Sequence, residues 1–217
     1  MSNDINPIMP VLKNATAEQH NATEENSFNT QLMGGKLPQP AYVETLAQLL
    51  LIHRAYEARL REAQPAIAYP VPDHEFQTPY LEADLAFFER DTTAIEPVPA
   101  TQTFLDYVAA IPTFGDDALR LLGVHYVFEG SNNGSKWAAK SIREAYNLPE
   151  TGEGTRYFDP YGQKQAKRWK EFKDTMNGID FNEAQRQSLV DAAVYTFDAI
   201  GLVHRDLGER FAAVMKG

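Results

Sequence analysis

The 217-residue sequence contains no cysteine. Disulfides, thiolate zinc sites, cysteine-ligated iron–sulfur clusters and cysteine nucleophiles are thereby excluded. Positive charge is also scarce, with 20 Lys and Arg against 30 Asp and Glu for a formal charge of −10. Such a chain binds phosphate backbones and anionic lipid surfaces poorly, so neither nucleic acid nor a membrane is an expected partner. No apolar run approaches the ~20 residues that span a bilayer. The N-terminus lacks a basic start followed by an apolar stretch, and the C-terminus lacks an apolar tail, so a cytoplasmic protein is expected. Internal repeats, low-complexity tracts and alternating β-branched runs between tight turns are missing too.

The 43% of hydrophobic residues instead follow helical offsets. Residues 1–10, with Pro7 and Pro10, read as a flexible arm. A helical pattern begins at Val11, with Leu12, Ala15 and Ala22 on one face. Ala41 to Ala63 is a long helix carrying Tyr42, Leu46, Leu49, Leu50, His53, Tyr56 and Leu60 at steps of three and four. Four prolines between 65 and 79 make a connection. Shorter helices follow over Tyr80–Phe88 and Thr101–Ile111, and a long one ends near Tyr146 with Gly130 and Gly134 inside it. A Gly/Pro loop spans Leu148–Tyr161, a basic helix Gln163–Met176, and a last helix runs from Phe181 to about Met215. The expectation is an all-α fold, a multi-helical bundle of roughly seven or eight helices forming a single domain over residues 11–217.

Several residues stand out chemically. Glu24 follows His20 by one helical turn, so a carboxylate can fix one imidazole nitrogen and leave the other for a metal; a surface histidine in a polar stretch fits the same spacing. Gly130 and Gly134 each cost about 1 kcal/mol against alanine in a helix. Close helix packing explains such a pair, and so does a flat ligand lying on the backbone. Ser131, Asn132 and Asn133 add polar groups beside them. His125 and Glu129 are four apart but lack a second such pair, which points to structural roles. His53 reads as a core histidine, and His74 and His204 suggest no site. Lys164, Lys167, Arg168, Lys170 and Lys173 gather positive charge in an acidic chain, either as a solvated helix face or as a site for anionic groups.

In order along the chain, these strings resemble the heme oxygenase family. LKNATAEQH, Leu12 to His20, is similar to the family's L-K-x-A-T-x-x-x-H, whose histidine ligates heme iron. Leu81 to Phe88, LEADLAFF, is similar to LxxDLAF. FEGSNNG, Phe128 to Gly134, resembles the bacterial distal-helix motif E-G-S-[NT]-L-G, and LPETGEG, Leu148 to Gly154, resembles L-P-x-x-G-E-G. Phe158, Met176, Asn177 and Phe197 also match, so the resemblance covers about residues 11 to 207.

The resemblance implies an oxidoreductase with heme b as both substrate and cofactor, held between a proximal and a distal helix. With O2 and an external electron donor (a ferredoxin or a flavin reductase), heme is cut at a meso carbon to biliverdin, CO and iron. His20 becomes the axial ligand and Glu24 its orienting partner. Gly130 and Gly134 bring the catalytic distal backbone to the porphyrin, and Ser131 and Asn132 anchor water for proton delivery. Lys13, Lys173 and Tyr126 fall at propionate positions, and Phe197 lines the pocket.

Three positions depart from the family. Ser131 stands where mammalian and cyanobacterial members carry an aspartate. Asn133 stands where bacterial members usually carry leucine, placing a polar group near the heme. Trp169 replaces a propionate lysine of mammalian members, with Lys170 adjacent as a substitute. Two other readings follow from these residues, a heme-binding protein that does not degrade heme and a non-heme di-iron oxygenase, the latter short of the E-x-x-H pairs it needs.

Overall fold

The computed structural model describes residues 6–215. It is all-helical, and no strand occurs among the described residues. Ten α-helices follow one another: α1 Ile8–Ala15, α2 Ala17–Glu25, α3 Ser27–Met33, α4 Gln39–Ala63, α5 Thr78–Phe87, α6 Pro99–Ala110, α7 Leu119–Tyr146, α8 Gln165–Asn177, α9 Glu183–Arg210 and α10 Ala212–Met215. Single 3-10 turns lie at Asp73–Glu75, Asp116–Ala118 and Gly162–Lys164.

Three long helices make the frame. The predicted apolar face of α4 is buried at every position from Tyr42 to Leu60. The most extensive pairing joins α7 to α9. It is set by Gly123, where a Cβ would meet the Leu189 carbonyl oxygen at 2.5 Å and the Ala192 methyl at 2.9 Å. An Asn182 and Gln185 capping box starts α9, each side chain bonding the other's backbone N–H at 3.0 Å.

The first forty residues differ most from expectation. The helical pattern begins at Ile8 rather than Val11, and Ile8 and Met9 are buried. Residues 1–5 of the expected arm lie outside the described residues. Pro10 fits because a proline in the first helical turn forfeits no intrahelical hydrogen bond. Asn177 Oδ1 accepts from the Met9 N–H at 2.9 Å, and the Arg186 guanidinium donates to the Asn6 carbonyl, so this segment is tied down. Thr16 Oγ1 donates back to the Leu12 carbonyl at 2.8 Å where α1 gives way to α2. Ala22, in α2 beyond the break, leaves the face it was expected to share with Leu12, and Ala15 at the end of α1 is exposed as well. A third short helix, α3, follows in a stretch with no strong helical signal and buries Phe28 and Leu32.

The Gly/Pro loop between α7 and α8 is held from two sides. Asp84 on α5 accepts the backbone N–H groups of Arg156 and Tyr157 at 2.9 Å each, and burial pushes its carboxyl up to about 6 against the pull of those donors. Tyr42 donates its hydroxyl to the Gly154 carbonyl at 2.6 Å. Gly154 has φ +80° and lies on the Phe87 and Phe88 rings, where a Cβ would come within 3.0 Å of both.

Candidate active site

One cavity of about 860 Å³ opens between α1, α2 and α3 on one side and the middle of α7 on the other, with α8 and α9 closing it. That volume is within the ~300–1,000 Å³ usual for small-molecule sites. Lys13, His20, Glu24, Tyr126, Gly130, Ser131, Asn132, Asn133, Gly134, Lys173 and Phe197 all line it. These are the residues singled out from sequence, with one exception. Lys170 is absent from the lining because α8 turns Trp169, Phe172, Lys173 and Met176 inward at steps of three and four, which leaves Lys170 in solvent, paired with Asp174 one turn on.

On the α2 side, His20 stays 56% exposed and accessible at its ring, with Nδ1 3.8 Å from Glu24 Oε1. That separation is longer than a direct hydrogen bond. Phe197 packs edge-on to the imidazole, centroids 5.9 Å apart. Nε2 therefore has no competing protein partner in the side-chain contacts of the described residues.

On the α7 side, the helix runs unbroken through both glycines. Unlike Gly123, neither is explained by helix packing. A Cβ on Gly134 would meet nothing within 4 Å, and one on Gly130 would meet only the edge of Trp169 at 3.5 Å. The bare backbone at Gly134 faces open cavity, which removes close helix packing as its cause. The polar residues around it are tied locally: Ser131 Oγ donates to the Phe128 carbonyl at 2.7 Å, and Asn133 Nδ2 to the Gly130 carbonyl at 3.0 Å. Asn132 is buried and donates through Nδ2 to Glu129 Oε2 at 3.2 Å.

Two cations sit at the mouth, Lys13 and Lys173, the latter with Nζ 5.9 Å from the Trp169 ring centroid. Burial raises the Tyr126 hydroxyl, so it remains a neutral donor. The sequence reading missed much of the apolar wall, including Met33 and Leu49, and it dismissed His204. His204 lines the cavity two turns after Phe197 on the same face of α9. It is buried without a partner for Nδ1, and burial lowers its pKa to about 4, so the ring is neutral. The Phe197, Ile200 and His204 spacing carried that signal.

An accessible imidazole, a side-chain-free stretch of helix, apolar walls and two lysines at the rim fit a flat apolar macrocycle that carries a metal and acidic substituents. His125 and Glu129 lie behind this wall, His125 Nε2 bonding Glu75 Oε2 at 2.8 Å. His53 is in the core between Glu57 and Tyr157. Among the described residues, no three His, Asp or Glu side chains gather as metal ligands, which leaves the di-iron reading without a ligand set. No helix of the described residues is long and apolar enough to cross a membrane.

Comparison with known proteins agrees with this geometry. The chain is 28% identical to heme oxygenase 1 of Bos taurus over 192 residues, covering 86% of this chain and 66% of that protein. It therefore spans about two thirds of the length of that relative. It is 28% identical to a heme oxygenase of Pyropia yezoensis over 201 residues, covering 89% of this chain and 82% of that one. Its fold matches the crystal structure of heme oxygenase-2 from Synechocystis sp. PCC 6803 in complex with heme and NO. That match has a TM-score of 0.83 and 24% identity, covering 96% and 88% of the two chains. With the sequence model described as heme oxygenase matching residues 7–206, the chain belongs to the heme oxygenase family.

Proposed function

We propose that the protein is a heme oxygenase that takes heme b into the cavity between α2 and α7 and opens it at a meso carbon. The observation that carries this reading is the presence, in one cavity, of the accessible His20 imidazole and a helix wall whose Gly134 faces open space. When bound, heme supplies the iron at which O2 is reduced and the carbon that is cut, giving biliverdin, CO and ferrous iron with electrons from an external donor.

The chain's own residues position this chemistry. His20 would hold the heme iron through its imidazole, with Glu24 near Nδ1 biasing the tautomer. Gly130 and Gly134 let the α7 backbone lie against the ring face and keep bulky groups out of the space above it. Lys13 and Lys173 hold the propionates, with the Tyr126 hydroxyl beside them; Lys170, facing solvent, has no such role. Phe197, Leu49 and Phe158 exclude water from the ring edge. Ser131 and Asn132 keep polar groups at the wall where protons are delivered, and Asn133 is held by its bond to the Gly130 carbonyl. A ferredoxin or flavin reductase docks on the basic face of α8.

The test is to load the purified protein with hemin and reduce it in air with ascorbate or ferredoxin. The expected result is decay of the Soret band to biliverdin with release of CO. A heme complex that persists unchanged supports the non-degrading heme-binding reading instead, and failure to bind hemin overturns both.

A further inference from the structure

The buried polar cluster behind the α7 wall has no part in the roles above. Glu129, immediately before Gly130, is 1% exposed. Its Oε2 accepts from Tyr161 Oη at 2.8 Å and from Asn132 Nδ2 at 3.2 Å, while Oε1 has no protein partner. One turn earlier, His125 shares its Nε2 with Glu75 Oε2 and leaves Nδ1 unpartnered. Glu75 Oε1 in turn accepts from Tyr69 Oη at 2.6 Å. Tyr56 Oη is also unpartnered, its ring 6.4 Å from that of His125. Buried polar atoms are nearly always satisfied, by internal water where protein is out of reach. Three such atoms, Glu129 Oε1, His125 Nδ1 and Tyr56 Oη, gather in one buried cluster.

We propose that Glu129 is the distal positioning residue of this chain, fixing the Asn132 amide through Oε2 and holding an exchangeable proton on Oε1. The inference rests on the reading of function above. With the proton on Oε1, Oε2 accepts in either protonation state, so Asn132 turns its amino group to Glu129. Its Oδ1 is then left to accept from a donor in the cavity that Asn132 lines. Ser131 has spent its one donor on the Phe128 carbonyl, so its hydroxyl can add only an acceptor beside that amide. The carboxylate of this wall thus enters one residue before Gly130 instead of one after it. In the exchange, the Oε1–H bond breaks, the electron pair stays on the carboxylate, and the proton passes to water; the reverse transfer restores it with no redox change.

The surroundings set the range of this exchange. Burial pushes the Glu129 carboxyl up to about 7, and Glu75 raises it further; His125, Tyr161 and Asn132 pull it down. The other groups facing it are the phenols of Tyr56 on α4, Tyr69 in the following loop and Tyr80 on α5. Of all these, His125 is the one basic side chain, and its Nε2 lies 2.8 Å from Glu75 Oε2.

Infrared titration of the heme-free protein reads the proton directly. The expected result is a carboxylic acid carbonyl band with a midpoint near 7 that is absent in Glu129→Gln. Tyr161→Phe moves the midpoint upward, because it removes a donor that favours the ionised form. After loading with hemin, Glu129→Gln keeps the Soret complex but loses the limb of the turnover–pH profile near 7, and Glu129→Asp restores part of it. An unchanged carbonyl titration in Glu129→Gln, or an unchanged pH profile, overturns the proposal. If the wild type binds no hemin, the reading of function falls, while the carbonyl titration still decides where the proton resides.

Discussion

Glycine serves opposite purposes at two points of α7. Gly123 is required by packing, since any side chain there collides with the Leu189 carbonyl. Gly134 is required by nothing in the protein, so its helix penalty is uncompensated until a ligand occupies the space beside it. Gly134→Ala is therefore expected to raise stability by about 0.5–1 kcal/mol and to weaken hemin binding. Gly123→Ala should lower stability by about 1–3 kcal/mol through overpacking. Thermal unfolding of both variants with and without hemin checks the pair, and a destabilised Gly134→Ala would refute the open-face account. At this scale the sequence was informative where a residue type was unusual for its place, as with two glycines inside a helix. It was ambiguous where helical phase decides, as with Lys170 and Lys173 three residues apart on α8. His204 went unrecognised because its neighbours in sequence are charged, although its neighbours in space are apolar.

Among elements, the long helices were legible because their apolar spacing is sustained over many turns; α4, α7 and α9 differ from expectation only near their ends. The N-terminal segment was not. Its prolines read as breakers, although Pro10 lies in a first turn where it does no harm, and the break at Thr16 depends on a local side-chain bond that spacing does not show. The loop after α7 has a definite shape because Asp84 gathers two of its N–H groups. That explains the DLAF string on α5 by its contacts: its aspartate anchors a loop whose Tyr157 and Phe158 line the cavity. Asp84→Ala is expected to cost about 3 kcal/mol, as two hydrogen bonds to a buried carboxylate are lost. It should also loosen the cavity wall, so chemical denaturation and hemin affinity should fall together; a stable variant with unchanged affinity would contradict the anchoring role.

Over the whole molecule, an acidic chain keeps one basic helix beside its cavity. That face is less positive than its lysines and arginine suggest, because Lys167 and Arg168 both pair with Glu171, at 3.7 and 3.1 Å. Such exposed pairs are worth little and remain available to a partner. Reversing both charges, Lys167→Glu with Arg168→Glu, is expected to slow ferredoxin-driven turnover and flatten its dependence on salt, leaving ascorbate-driven turnover intact. Equal ferredoxin rates and salt dependence in the variant and the wild type would remove α8 as the docking face. The all-helical architecture was readable from periodicity alone. The joining of distant strings into one cavity was not, because residues 13, 20, 134 and 197 meet only through the packing of four helices. The central claim is that heme sits between His20 and the bare face of Gly134. Optical titration of the wild type and His20→Ala with hemin tests it most directly. A one-to-one Soret complex in the wild type that is lost or shifted in His20→Ala, and regained when imidazole is added, is the predicted result. Identical Soret spectra and affinities for the two proteins would contradict it.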